Sequence, residues 1–133
     1  LHHVLTGYET TWCGEAEIGA WEVASGCGRY HAAWLLDLQA MALGLVLCPR
    51  RVFRAFIRGR YSGNLYDRTF SEELLDTPVT VMRRALRLDA PLPVGRPYDW
   101  LAFAGWSVVA AAAIIAPAAV AVGVVVAGAR LLL

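Results

Sequence analysis

The feature that most constrains this chain is a run of 29 residues, Leu101 to Ala129, without one charged side chain. Roughly 20 apolar residues suffice to cross about 30 Å of hydrocarbon. Lipid offers no partner to backbone N–H and C=O groups, so a segment of this kind satisfies them internally, as a helix. Pro117 stands near the middle of the run. It lacks the N–H that would bond the carbonyl of Ala113, so a kink is expected there, with that carbonyl open to a partner. Ala112, Ala116, Ala119, Gly123 and Ala127 recur at helical spacing. They form a stripe of small residues along which a second helix backbone can approach closely. Arg130 then follows, able to snorkel to the far interface.

The rest of the chain agrees with a membrane class. Its 133 residues are 58% hydrophobic and only 17% charged, too apolar for an ordinary soluble domain of this size. A second span is read at residues 30–48, from Tyr30 to Cys48, ending at Pro49-Arg50-Arg51. It contains His31, Asp37 and Gln39. An Asp at a helix centre costs about 3 kcal/mol and each Leu or Val returns only about 0.3–0.6 kcal/mol, so this span needs a protein partner. The expected fold is an all-α membrane protein with two transmembrane helices joined by a basic loop carrying interfacial amphipathic helices. Residues 1–29 would be a non-cytoplasmic segment, 30–48 the first span, 49–100 the loop and 101–133 the second span.

Charge orients this arrangement. Residues 49–100 hold ten arginines against six acids, whereas residues 1–30 hold four glutamates against one arginine. The positive-inside rule places the loop on the cytoplasmic side of a bacterial inner membrane, or the matrix or stromal side of an organelle membrane. Arg50, Arg51, Arg54 and Arg58 alternate around a cylinder with Phe53, Phe56 and Ile57, the pattern of a helix lying along anionic headgroups. The interleaved apolar side chains argue against nucleic acid as the partner. Thr77 and Pro78 read as the N-cap and first position of another helix, and Thr69 with Glu72 as a capping box.

Few residues are candidates for chemistry. Asp37 is an ionisable group inside an apolar helix and should face protein or water. It shares a helical face with Ala33, Ala40, Met41, Gly44 and Cys48, so it is read as fixing a helix contact or, alternatively, as carrying a proton or ion. His31 is a weak candidate ligand for haem, pigment or metal. Its spacing supplies no convergent partners, so no metal site and no cofactor is assigned. Among three cysteines, Cys13 and Cys27 could pair if their segment faces an oxidising compartment, a point the sequence leaves open, and Cys48 reads as a small apolar residue at the membrane boundary. No nucleophile elbow, phosphate-cradling glycine loop, HExxH or spaced carboxylate pair is present. The expected role is therefore a non-catalytic accessory or assembly subunit of a larger integral membrane complex, such as an energy-transducing one, bound to lipid and to other membrane subunits. The alternatives are a transporter or channel component using Asp37 and a membrane haem- or pigment-binding protein using His31.

Overall fold

The computed structural model describes residues 1–69, 71–92 and 94–131, the side chains of 125, 126 and 131 excepted. Among these it is all-helical: α1 (His2–Thr6), α2 (Trp12–Ser25), α3 (His31–Leu47), α4 (Pro49–Tyr61), α5 (Glu72–Asp76), α6 (Val79–Ala85) and α7 (Pro97–Leu131). Leu132 and Leu133, assigned above to the second span, lie outside the described residues.

Helix α2 is the hub. Thr11 caps its start, its hydroxyl oxygen accepting the Gly14 N–H at 3.3 Å, and Gly26 at φ 92° ends it. Helix α4 lies alongside in the same direction. Cys13 is joined to Cys48, Arg51 reaches Glu17 at 2.7 Å, and the Trp21 indole N–H donates to Ser62 Oγ at 2.8 Å. Helix α3 runs antiparallel to α2, with Gly44 seated on Ala16 and Val52, and Gly19 of α2 seated on Asp37 and Ala40. The fully buried Trp21, Val52, Phe56 and Met41 form the centre of the core. Arg83 of α6 donates to the Leu5 carbonyl, and Arg58 of α4 donates to those of Thr6 (3.1 Å) and Leu88 (2.8 Å), so α1 and α6 close one side.

These contacts correct several expectations. One helix among the described residues, α7, is long and apolar enough to cross a bilayer; α3, at 17 residues, is not. Two spans would set residues 1–29 and 49–100 on opposite sides of a membrane, yet α2 and α4 pack directly together. Cys13 bonds to Cys48 rather than Cys27, because parallel packing of α2 and α4 brings their starts within a Cα–Cα distance of 6.1 Å. Phe56 and Ile57 are buried in the core, Phe56 edge-on to Phe103 of α7, rather than offered to lipid headgroups, and Phe53 is half-buried beneath Trp100. Helix α6 is capped by Pro78 rather than Thr77, which instead ends α5. Ser71, not Thr69, caps α5, its hydroxyl oxygen accepting the Leu74 N–H at 3.3 Å.

Helix α7 is anchored at its start and uncovered at its end. Asp99 is fully buried and accepts from Arg60 Nε (2.6 Å), the Tyr61 hydroxyl (2.9 Å) and the Arg96 N–H (2.8 Å). Burial alone would raise its pKa, but these three donors outweigh it and hold the carboxyl below its ordinary value. Next along the helix, Trp100 stacks on Phe53 at 3.9 Å, Phe103 meets Phe53 and Phe56, and Trp106 stacks on Trp34 at 5.3 Å. Helix α7 continues through Pro117. The carbonyl that Pro117 leaves without its helical donor, that of Ala113, faces Gln39 Nε2 at 3.5 Å. A polar side chain that made α3 marginal as a span thus serves the gap in α7.

Candidate functional site

The polar side chains converge where α2 ends and α3 begins. Glu22 stands in the last turns of α2, Cys27 in the connecting turn, and Asp37 in the second turn of α3. His2 opens α1, and Tyr66 lies in the loop after α4. The turn is built on two glycines with positive φ, Gly26 at 92° and Gly28 at 52°, conformations that cost other residues energy. Gly19 allows the convergence: a Cβ there would stand 2.6 Å from the Asp37 carbonyl oxygen and 3.0 Å from the Ala40 Cβ. Without it the two backbones come close enough for the Asp37 carboxyl to reach Glu22, nearly one turn further along α2.

The Glu22, Cys27 and Asp37 ligand atoms all lie within 4.8 Å of one another, and all three residues are buried. The Cys27 thiol donates to Asp37 Oδ2 at 3.2 Å, and the Asp37 carboxyl faces that of Glu22 within the same 4.8 Å. Tyr66 donates its hydroxyl to Glu22 Oε2 at 2.6 Å, and His2 Nδ1 bonds to Glu22 Oε1. The Leu65 N–H donates to His2 Nε2 at 3.3 Å, which leaves the imidazole proton on Nδ1, directed at Glu22. The ring is held edge-on against Trp21 and Tyr66. Behind the turn, Asn64 donates to Ser25 Oγ at 2.8 Å and accepts from the Tyr66 N–H at 2.9 Å, fixing the loop that carries Tyr66.

These bonds distribute one proton between two acids. Burial pushes the Asp37 carboxyl up to about 8, and the bond to Glu22 and that neighbour's charge add to the rise. Burial works in the same direction on Glu22, but the donors His2, Asp37 and Tyr66 outweigh it and hold Glu22 below its ordinary value. The Cys27 thiol is raised by burial and then by Asp37, and the Tyr66 hydroxyl by burial and then by Glu22. The rise at Asp37 and the fall at Glu22 set the pair apart, favouring the negative charge on Glu22, to which His2 and Tyr66 are bonded. A cleft of ≈ 490 Å³, bordered by His2, Glu22, Tyr30 and Tyr66 among others, opens beside it.

Of the residues singled out from the sequence, Asp37 belongs to this cluster, and its small-residue face is the one that meets α2. His31 is exposed at the first position of α3 and lies outside the cluster. Arg50 and Arg54 are exposed, Arg51 is paired with Glu17 and Glu9, and Arg58 is spent on the Thr6 and Leu88 carbonyls. Ala112, Ala116, Ala119, Gly123 and Ala127 are exposed along α7. His2, Glu22, Cys27 and Tyr66 escaped notice as a group because 10 to 44 residues separate the bonded pairs, a range over which helical periodicity carries no information. The Gly-Cys-Gly turn was the one local signal, marking a hairpin that brings Cys27 back onto α3.

Comparison with family models, with curated proteins and with solved structures finds no match to this chain.

Proposed function

We infer that this protein is a single-pass, non-catalytic assembly subunit of a larger membrane complex, with its helical body on the oxidising side of the bilayer. The observation that carries this reading is the uncovered half of α7. From Ile114 onward, every described side chain on α7 whose burial is known is exposed, apolar residues and the small-residue stripe alike. The projecting stretch to Leu131 is about 27 Å long at 1.5 Å per residue, close to the thickness of the hydrocarbon layer. Helix contacts in lipid come from close backbone packing rather than a hydrophobic drive, and a stripe of small residues is the surface that permits it.

The body supports an anchoring rather than a catalytic role. Its described buried side-chain polar atoms all have hydrogen-bond partners. The Cys13–Cys48 disulfide favours an oxidising compartment, which reverses the side assigned from the arginine count. Many of those arginines are committed within the fold, Arg51 to Glu17, Arg60 to Asp99 and Arg83 to Asp89. Arg130 stands at the far end of α7, able to snorkel to that interface. Exposed Leu35, Leu36, Leu43, Val46 and Leu47 on α3 extend the apolar surface that meets lipid or a neighbouring subunit.

Purification in mild detergent tests the reading. Other chains should co-purify at fixed stoichiometry, and bulky replacements in the stripe, Ala119→Leu or Gly123→Leu, should release them without unfolding the body. A monodisperse, solitary protein would overturn it.

A further inference from the structure

We propose that Glu22, Cys27 and Asp37 form a binding site for a divalent cation of the zinc class, with His2 and Tyr66 as the outer groups that orient Glu22. Three ligating residues of different hardness, from the end of one helix, a turn and the start of the next, meet in a buried spot. Two carboxylates with a thiolate are a donor set for a borderline ion such as Zn²⁺, rather than for Mg²⁺ or Ca²⁺, which take oxygen alone. Their ligand atoms, all within 4.8 Å of one another, need contract only modestly to the spacing of about 3.5 Å found around a tetrahedral zinc. The fourth position would go to water.

Two further observations point to a ligand rather than to simple packing. Both oxygens of Glu22 are already gripped from outside, one by His2 Nδ1 and one by the Tyr66 hydroxyl, the arrangement that fixes a ligating carboxylate. The cleft beside them is lined by His2, Glu22 and Tyr66, so an entering ion would meet the Glu22 carboxylate first. The exchange balances: the Cys27 thiol gives its S–H proton and the acid pair its shared proton, both to water. One metal–sulfur and two metal–oxygen bonds form in their place.

The experiment is a titration of the chelator-treated full chain in detergent with Co²⁺, followed by competition with Zn²⁺. One cobalt per chain should bind with a thiolate-to-cobalt charge-transfer band that zinc removes. Cys27→Ser changes one atom and should erase the band while far-UV circular dichroism stays unchanged. Tyr66→Phe should weaken binding about ten- to a hundredfold, the usual effect of removing an outer-shell partner. His3→Ala, which disrupts the exposed His3–Glu15 pair, should change nothing. The proposal is overturned if no band develops, if the band survives Cys27→Ser, or if binding disappears with His3→Ala.

Discussion

Replacing Gly19 by alanine tests the packing on which the polar cluster depends. The added Cβ would stand 2.6 Å from the Asp37 carbonyl oxygen, 3.0 Å from the Ala40 Cβ and 3.2 Å from the Asp37 Cα. A carbon–oxygen contact settles at about 3.3 Å or more, so α2 and α3 must part by about 0.7 Å. The obstacle includes backbone, which cannot rotate aside as a side chain does. Overpacking of this kind costs about 1–3 kcal/mol, while exchanging glycine for alanine within a helix returns up to about 1 kcal/mol. The difference predicts a net loss of roughly 1–2 kcal/mol, read as a fall of about 5–10 °C in the thermal midpoint. The assay is far-UV circular dichroism of the detergent-solubilised chain, by heat and by urea. Gly105→Ala is the control, because nothing lies within 4 Å of a Cβ there, and it should be neutral or mildly stabilising. A Gly19→Ala protein as stable as the parent would refute the close-approach argument, and with it the account of how Asp37 reaches Glu22.

Three further outcomes follow from the structure. Gln39→Leu should destabilise the parent by roughly 0.5–1.5 kcal/mol, the net worth of one hydrogen bond, and do so far less in a Pro117→Ala background where the Ala113 carbonyl regains its helical donor; a double-mutant cycle measures the difference. Non-reducing thiol counting after denaturation should find one reactive cysteine, Cys27, and Cys13→Ser should cost about 3–4 kcal/mol in urea unfolding, as expected for a bridge closing a loop of 35 residues. Asp99 has a depressed carboxyl pKa, so its stabilisation is present above the unfolded value of about 4 and is lost as pH falls through the folded one. Acid titration of stability should accordingly be shallower below about pH 4 in Asp99→Asn than in the parent.

Composition and hydropathy were enough to establish the helical class and the long apolar helix, because both depend on local properties: a charge-free run longer than a bilayer is thick has one way to satisfy its backbone in lipid. Pro117 announced an open carbonyl at Ala113 for the same reason. Its partner was not legible, since Gln39 lies 74 residues away and is brought near by the packing of α3 on α7. The arginines show the limit from the other side. Counted along the chain they make a basic loop; in the fold Arg51, Arg58, Arg60 and Arg83 are used by carboxylates and carbonyls of distant segments.

The candidate site divides in the same way. Asp37 stood out because an ionisable group in an apolar helix is expensive wherever it goes, a property of one residue and its neighbours in sequence. What it meets was decided by tertiary structure alone. The glycine at position 19 sets the approach of two helices, that approach places Glu22 and Cys27 against Asp37, and the loop after α4 returns Tyr66 to the far side of Glu22. The choice of Cys48 over Cys27 as the partner of Cys13 has the same origin, for spacing along a chain does not state which helix ends lie side by side. The sequence by itself determined that one helix is long and apolar enough to cross a bilayer. Only the packing of α2 between α3 and α4 decided that the residues on either side of α3 form one body, because direct contact between them leaves no room for a membrane.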